Sequence, residues 1–310
     1  MRLTGPMVSS PSPVAVSEEL FAPVSRDVEL CYQTFGDPED EPLLLVMGLG
    51  GPMNWWSPGL CEDLARTGFF VVRYDNRDTG RSSRGTGRIG RTALVRAFVG
   101  LPASAPYALT DLADDAFGLL DHLGLQTAHV VGVSMGGMIV QTMAVTRPGR
   151  VRSLVSIMST TGKRTVGWQN PALLPMLALP RKGGREAFVA TSVTTWRAIG
   201  SPAYERTRAA IEAQAEETFD RGASASGVLR QTMAILTQPD RSAALRRLRL
   251  PAAVLHGEAD KMVHVSGGRA TAAAIPDAEL VVVEGMGHDL PEPLWPTIVG
   301  LVRRTADRVS

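Results

Sequence analysis

The segment from Gly132 to Gly136 reads Gly-Val-Ser-Met-Gly, follows an apolar run and precedes a helical pattern. A sharp strand-to-helix turn brings the backbone close to itself, so glycine on both sides of the serine avoids clashes that a Cβ would cause. The turn lifts the Ser134 hydroxyl into a cleft, at a helix N-terminus whose free N–H groups favour negative charge. Ser134 is therefore the candidate nucleophile, although a glycine-rich helix start with a solvated serine would show the same five residues.

A serine hydroxyl needs a general base, and the chain offers five histidines. His288 lies in Gly-Met-Gly-His-Asp, directly after the last predicted strand. Loops at the carboxyl ends of strands are where open α/β sheets place their sites, so His288 is the predicted base. His264, just beyond the preceding strand, is a weaker candidate. The other histidines are expected to be structural or solvated: His122, His129 and His256.

The base in turn needs a carboxylate that orients it and stabilises the imidazolium. Asp260 ends the segment His-Gly-Glu-Ala-Asp after the preceding strand, which gives the chain order Ser134, Asp260, His288. This order of nucleophile, acid and base along the chain is the one expected for an α/β fold that carries such a turn. Glu258 and Asp289 are rivals, because Glu258 lies nearer the strand end and Asp289 adjoins His288.

A tetrahedral intermediate needs backbone donors for its oxyanion. Met135 N–H, directly after the nucleophile, is one predicted donor. Leu49 N–H is the second, because it lies in the glycine-rich loop 48–51 after an apolar strand, with Gly48 as the rival donor. An ordinary glycine turn is the alternative interpretation of this loop.

The elements that must position these residues alternate between apolar strands and helices, which predicts an α/β fold with a mostly parallel sheet covered by helices on both faces. The first two strands are expected to be antiparallel, because the break between them is too short for a crossover. The predicted strands are 27–35, 43–47, 69–74, 128–133, 151–158, 252–256 and 279–284. The predicted helices are 61–67, 110–123, 135–146, 268–274 and one from about 294.

Two intervals break this alternation. Residues 84–106 are rich in Gly and Arg and are expected to form a long loop with a short helix at 93–99. Residues 159–249 contain no strand-like run, and a structureless loop of that length is improbable. We expect a loose N-terminal arm over residues 1–20, a core over 21–158 and 250–310, and a helical cap over 159–249.

Composition narrows the possible partners. The net charge is +1, so no basic excess points to nucleic acid. No apolar run approaches the length of a membrane span or of a signal peptide, which predicts a soluble cytoplasmic protein. The two cysteines, Cys31 and Cys61, are expected to be buried thiols. The oligomeric state stays open.

These residues together resemble the α/β-hydrolase superfamily over roughly 27–302. The segment Asp-Asn-Arg-Asp-Thr-Gly-Arg-Ser at 75–82, with Leu-Val-Met-Gly before the oxyanion loop, is most similar to aclacinomycin methylesterase and related carboxylesterases. Asp78 stands where that family often has Gly, and Met47-Gly48 replaces a usual His-Gly. The resemblance implies a carboxylic-ester hydrolase that uses Ser134, His288 and Asp260 without a metal or an organic cofactor.

The expected substrate is a hydrophobic small-molecule ester, with a methyl ester on a polycyclic compound as the sharper hypothesis by analogy. Aromatic and Met side chains line apolar pockets, although they also fill ordinary cores. A lactonase, a C–C bond hydrolase, a cofactor-free perhydrolase and a ligand receptor on the same scaffold are the alternatives. The candidate substrate-binding residues are Trp55, Trp56, Trp168, Met176, Trp196 and Met233.

Overall fold

The computed structural model describes residues 13–173 and 183–309. The α/β fold class is confirmed: these residues contain an eight-stranded sheet in the order β1-β2-β4-β3-β5-β6-β7-β8. From β4 onward across the sheet all neighbours are parallel, whereas β1, β2 and β4 pair antiparallel. The strands are β1 (Leu20–Ser25), β2 (Val28–Phe35), β3 (Glu41–Val46), β4 (Phe69–Tyr74), β5 (Ala128–Val133), β6 (Val151–Ile157), β7 (Ala252–Gly257) and β8 (Glu279–Val283).

The first two predicted strands, β2 and β3, run in opposite directions but do not pair, because β4 lies between them. Their opposite directions were predicted, whereas the strand between them was not. Skipping one strand requires only about 10 Å across the sheet, and the residues between β2 and β3 are enough to span about 16 Å. A short break therefore excludes a helical crossover without requiring a hairpin.

Strand β1 was not predicted, and the expectation of a loose arm is wrong for its last residues. Val16 forms a β-bridge with Phe35, and Ser17 N–H donates to the Thr34 carbonyl at 3.0 Å. Residues 1–12 of the predicted arm lie outside the described residues.

Helices cover both faces of the sheet. Alternate side chains of β3 enter opposite layers: Leu43 and Leu45 pack in the layer of Leu60 and Ile298, and Leu44 and Val46 pack in the layer of Leu112 and Ile139. A strand covered on both faces is apolar throughout, which is why β3, β4 and β5 could be predicted from the sequence. The helices are α1 (Pro58–Ala65), α2 (Arg91–Phe98), α3 (Leu109–His122), α4 (Met135–Thr146), α5 (Arg185–Ile199), α6 (Arg208–Asp220), α7 (Ala225–Thr237), α8 (Ser242–Leu245), α9 (Ser266–Ala274) and α10 (Trp295–Ala306).

The interval between β6 and β7 holds α5 to α8 and, within its described part, no strand. We propose that α5 to α7 form the cap, because they reach the loops at the carboxyl ends of the strands described below. Leu245 and Leu248 pack in the core layer beside α4, so we propose that the cap ends before α8.

Two further observations concern the described residues. Cys31 and Cys61 are both buried free thiols, which confirms that expectation. None of the helices that the structure describes is both long enough and apolar enough to cross a bilayer.

Candidate active site

Ser134 lies between β5 and α4 in a strained turn, with a φ of 56° and a ψ of −117°. The flanking glycines permit this geometry. A Cβ on Gly132 would lie 2.2 Å from the Gly136 carbonyl oxygen, and a Cβ on Gly136 would lie 2.0 Å from the Val46 carbonyl oxygen. The turn therefore needs glycine at both positions, and it presents Ser134 at the start of α4, where helix N–H groups are unpaired.

The three residues selected from the sequence meet at the carboxyl ends of β5, β7 and β8. His288 Nε2 lies 3.0 Å from Ser134 Oγ, and His288 Nδ1 lies 2.7 Å from Asp260 Oδ2. Both distances are hydrogen-bond distances, so the imidazole bridges the hydroxyl and the carboxylate. The arrangement can pass a proton from the hydroxyl to the ring while the carboxylate stabilises the imidazolium.

Asp260 is 4% exposed, and its other oxygen accepts the Met262 and Val263 amides at 2.8 and 2.9 Å. Burial alone would raise the pKa of this carboxyl, but the His288 and His256 rings outweigh burial and hold the pKa well below its ordinary value. The side chain is thus an ionised acceptor for His288 Nδ1–H over the physiological range.

The rival carboxylates lie elsewhere. Glu258 is exposed, and Asp289 accepts hydrogen bonds from the Ser201 amide and hydroxyl rather than from His288. Burial raises the pKa of Asp289. The alternative base, His264, stacks on Trp168 with ring centroids 4.2 Å apart.

The His288 loop is held by residues that the sequence did not reveal. The His288 amide donates to the Ile199 carbonyl at 2.7 Å, and the Gly287 amide donates to Ser201 Oγ at 2.8 Å. Ile199 ends α5, and Ser201 follows it. The cap segment therefore fixes the backbone that carries the candidate base.

Gly48 lies directly beside Ser134, since a Cβ built on it would be 3.1 Å from Ser134 Cβ. In the following loop, the Gly50 amide donates to Gln231 Oε1 at 2.8 Å and the Gly51 amide to the Gly48 carbonyl at 3.2 Å. These two amides are occupied. Leu49 N–H and Met135 N–H remain our proposed oxyanion donors, at the two backbone segments that adjoin Ser134.

Gln231, on α7, is a second contact that sequence reasoning missed. Its carboxamide is fully buried, and Nε2 donates to the Arg77 carbonyl and to Thr79 Oγ1, both at 2.9 Å. One cap side chain thereby joins the oxyanion loop to the segment after β4. No local pattern marks a glutamine inside a helix for this role.

The departure of Asp78 from the family pattern has a structural explanation. Asp78 has a φ of 71°, a conformation that favours glycine, and its carboxylate accepts from Arg230 Nε at 2.8 Å and Nη2 at 2.6 Å. Tyr107 and the Gly85 amide donate to the same carboxylate. Burial would raise the pKa of Asp78, but the Arg230 guanidinium outweighs it and lowers the pKa. The pair attaches α7 to the core.

The candidate substrate-binding residues are dispersed. Trp55 and Trp196 meet edge-to-face with centroids 5.1 Å apart, which joins the segment after the oxyanion loop to α5. Trp168 is 47% exposed and lies on His264, and Met233 is fully buried on α7.

Trp56 was predicted to bind substrate, and this prediction is wrong. It is fully buried in the core layer with Leu60 and Ile298, so it packs beneath the sheet rather than lining the cleft. Trp55 and Trp56 are adjacent in sequence, but their side chains lie in different surroundings. Met176 lies outside the described residues.

The fold and the strand-end arrangement of serine, histidine and aspartate define a hydrolase of the α/β class. The family model described as the alpha/beta hydrolase fold matches residues 41–292, and the chain belongs to this family.

Several relatives and solved structures are similar over nearly the whole chain. Rhodomycin D methylesterase DauP of a Streptomyces species is 30% identical, with 89% of this chain and 96% of the relative covered. The 3-oxoadipate enol-lactonase 2 of Acinetobacter baylyi is 27% identical over 84% of this chain and 86% of the relative. The crystal structure of the enol-lactonase from Burkholderia xenovorans shares the fold, with a TM-score of 0.74 at 21% identity, covering 93% of this chain and 100% of that chain.

Proposed function

We propose that this protein is a serine hydrolase that cleaves the carboxylic ester of a hydrophobic small molecule through an acyl-enzyme intermediate. The observation that carries the proposal is the continuous contact from Ser134 Oγ through the His288 ring to Asp260, at 3.0 and 2.7 Å. The position of Ser134 at a helix N-terminus, beside Gly48, supports the same role.

In the first half-reaction, Ser134 Oγ attacks the ester carbonyl carbon while His288 Nε2 takes the hydroxyl proton. The carbonyl oxygen becomes an oxyanion that accepts hydrogen bonds from Leu49 N–H and Met135 N–H. The intermediate then collapses, the carbon–oxygen bond to the alcohol breaks, and His288 gives its proton to the departing alcohol. The acyl group remains on Ser134.

In the second half-reaction, His288 accepts a proton from water, which attacks the acyl carbon. Collapse of the second tetrahedral intermediate returns the proton to Ser134 Oγ and releases the carboxylic acid. Asp260 keeps the Nδ1–H tautomer throughout, which leaves Nε2 free to accept from Ser134 and then from water.

The substrate class is proposed from the surroundings of the oxyanion loop and from the relatives. Val228 lies against Gly50, and the Trp55–Trp196 pair follows the same loop, so apolar side chains adjoin it. Relatives named rhodomycin D methylesterase, at about 30% identity over most of the chain, support a methyl ester on a polycyclic compound as the finer proposal.

A lactone is the second candidate substrate, favoured by the enol-lactonase relative at 27% identity. A lactone is a cyclic ester, so the same steps apply, except that the alcohol stays covalently attached to the acyl group. The two candidate substrates require differently shaped binding sites, but the same residues perform the reaction on each.

The decisive test combines fluorophosphonate labelling with an ester panel. We expect the probe to label the wild type and not Ser134→Ala, whereas Ser242→Ala, a serine bonded to Asp240 outside the site, keeps full labelling. p-Nitrophenyl esters, methyl esters and lactones then separate the substrate classes. Labelling that persists in Ser134→Ala would refute the site, and labelling without turnover of any ester would favour a ligand receptor.

A further inference from the structure

Helix α2 and the residues that follow it expose several large apolar side chains to solvent. At 100° per residue, Arg91, Val95, Phe98 and Val99 share one face of this segment. Val95 is 61% exposed, Phe98 is 52% exposed and Val99 is 60% exposed, whereas Ala97 on the opposite face is buried. A helix of a globular domain normally does the reverse, so this face is a candidate interaction surface.

The region of the chain around α2 is strongly basic. Residues 79–110 contain five arginines and no Asp or Glu. Arg81 pairs with Glu19 at 2.7 Å, and Arg84 donates to the Gly222 carbonyl at 2.7 Å. Within the described residues, the three others form no ion pair with a carboxylate: Arg88, Arg91 and Arg96.

Contacts with the cap hold α2 in place. The Arg164 guanidinium donates to the Ala97 and Phe98 carbonyls at the end of α2, and to the Leu236 carbonyl on α7 at 3.4 Å. Helix α2 packs against α7, the helix that carries Gln231. The exposed face thus belongs to a helix that is held in place against α7.

We propose that α2 and the adjoining Val99 and Leu101 form a docking surface for an anionic lipid bilayer. An apolar face bordered by arginines matches the boundary between acyl chains and anionic headgroups. A second copy of the chain is a poorer occupant, because pairing this face with itself would bring uncompensated arginines together. The proposal concerns the exposed face of α2 and the residues after it, and it stands independently of the esterase assignment.

Vesicle flotation of the full chain tests the proposal. We expect binding to phosphatidylcholine vesicles that contain phosphatidylglycerol, weaker binding to phosphatidylcholine alone, and loss of the difference at high salt, which screens the headgroup charge. The variant Val95→Ser/Phe98→Ser/Val99→Ser removes binding to both. The variant Arg88→Gln/Arg91→Gln weakens binding only to the anionic vesicles, by about fivefold for each arginine.

Phe21→Ser is the matched control, since Phe21 is 46% exposed on β1 and lies outside the surface. All variants should retain their thermal unfolding and the hydrolysis of a short water-soluble ester, which shows that they fold. The proposal is overturned if the wild type does not float with anionic vesicles, or if the triple variant floats as well as the wild type. A dimer in light scattering that the triple variant abolishes, without vesicle binding, would assign the face to a second copy and also overturn it.

Discussion

The turn that carries Ser134 and the two loops that complete the site are supported in different ways. The turn is held by its own backbone against β3, with Gly136 in contact with the Val46 carbonyl. The oxyanion loop and the His288 loop instead receive hydrogen bonds from the cap segment, through Gln231 and Ser201. The backbone at Ser134, the proposed nucleophile, therefore depends on the core, whereas the two loops depend on both the core and the cap.

The turn and the two loops also differ in how far apart in sequence the residues that hold them lie. Gly50 and Gln231 are 181 residues apart in sequence, and Gly287 and Ser201 are 86 apart. The strained turn lies within five consecutive residues, as a recognisable motif. We infer that changes in the cap alter the rate by moving the loops, whereas changes in the core contacts of the site abolish the chemistry.

Asp260→Asn tests the core side and has the largest expected effect. Asn can present its NH₂ to His288 Nδ1 and favour the wrong tautomer, so kcat should fall by about 10⁴-fold. Steady-state hydrolysis of a p-nitrophenyl ester measures the loss. Glu258→Gln, an exposed carboxylate two residues away, is the matched control and should leave kcat unchanged. If Glu258→Gln proves the more damaging change, the acid is Glu258.

Arg230→Leu tests the attachment of the cap. It leaves the buried Asp78 carboxylate unpaired and should reduce the free energy of unfolding by about 3 kcal/mol, measured by urea denaturation. Asp78→Gly/Arg230→Leu should recover part of the loss, because Gly tolerates the positive φ and no charge remains buried. A double variant as unstable as the sum of its single variants would contradict a direct coupling.

The same ion pair predicts a pH dependence. Burial raises the folded-state pKa of Asp78, but the Arg230 guanidinium outweighs burial, so the pKa is lowered overall. The contribution of the pair is therefore present above the unfolded carboxyl pKa of about 3.9 and is lost as the pH falls below it. Urea unfolding at successive pH values should show a smaller acid-dependent loss in the double variant than in the wild type.

Gln231→Met tests whether the cap positions the oxyanion loop. The Gly50 amide loses its acceptor, so kcat should fall by roughly 10- to 100-fold with little change in KM, less than or similar to the loss of one oxyanion donor. Affinity for a boronic acid that mimics the tetrahedral intermediate should fall in parallel. Gln214→Met, which removes a bond to Arg206 within the cap, is the control. An equal effect of both changes would mean general loosening of the cap.

Ser201→Ala has the smallest expected effect. The Gly287 amide loses its acceptor, but the His288 amide keeps its bond to Ile199, so kcat should fall by only about tenfold. Single-turnover labelling by a fluorophosphonate measures the change, with Ser242→Ala as the control. An effect larger than that of Gln231→Met would show that the base loop, rather than the oxyanion loop, is the part most sensitive to the cap.

Several features were readable from the sequence because they depend on local chemistry. The glycines around Ser134 indicate a turn in which a Cβ on Gly132 or Gly136 would clash. Strands β3 to β5 are continuous apolar runs because both faces of the sheet are covered. The chain positions of Asp260 and His288 followed from the rule that parallel strands bring their carboxyl ends to one edge. These patterns lie within a few consecutive residues each.

Other features were decided only when distant segments met. Strand β1 carries little alternation, and its place comes from pairing with β2. Trp55 and Trp56 look equivalent in sequence, yet one contacts Trp196 and the other lies in the core.

The sequence alone therefore determined the fold class and brought Ser134, Asp260 and His288 forward as one group, because strand ends and tight turns leave local signatures. Tertiary structure decided how the group is held: Gln231 on Gly50, Ser201 on Gly287, and Arg230 on Asp78. Each of these pairs a cap side chain with a core loop. A hydrogen bond between residues so far apart in sequence leaves no periodicity or local motif from which it could be predicted.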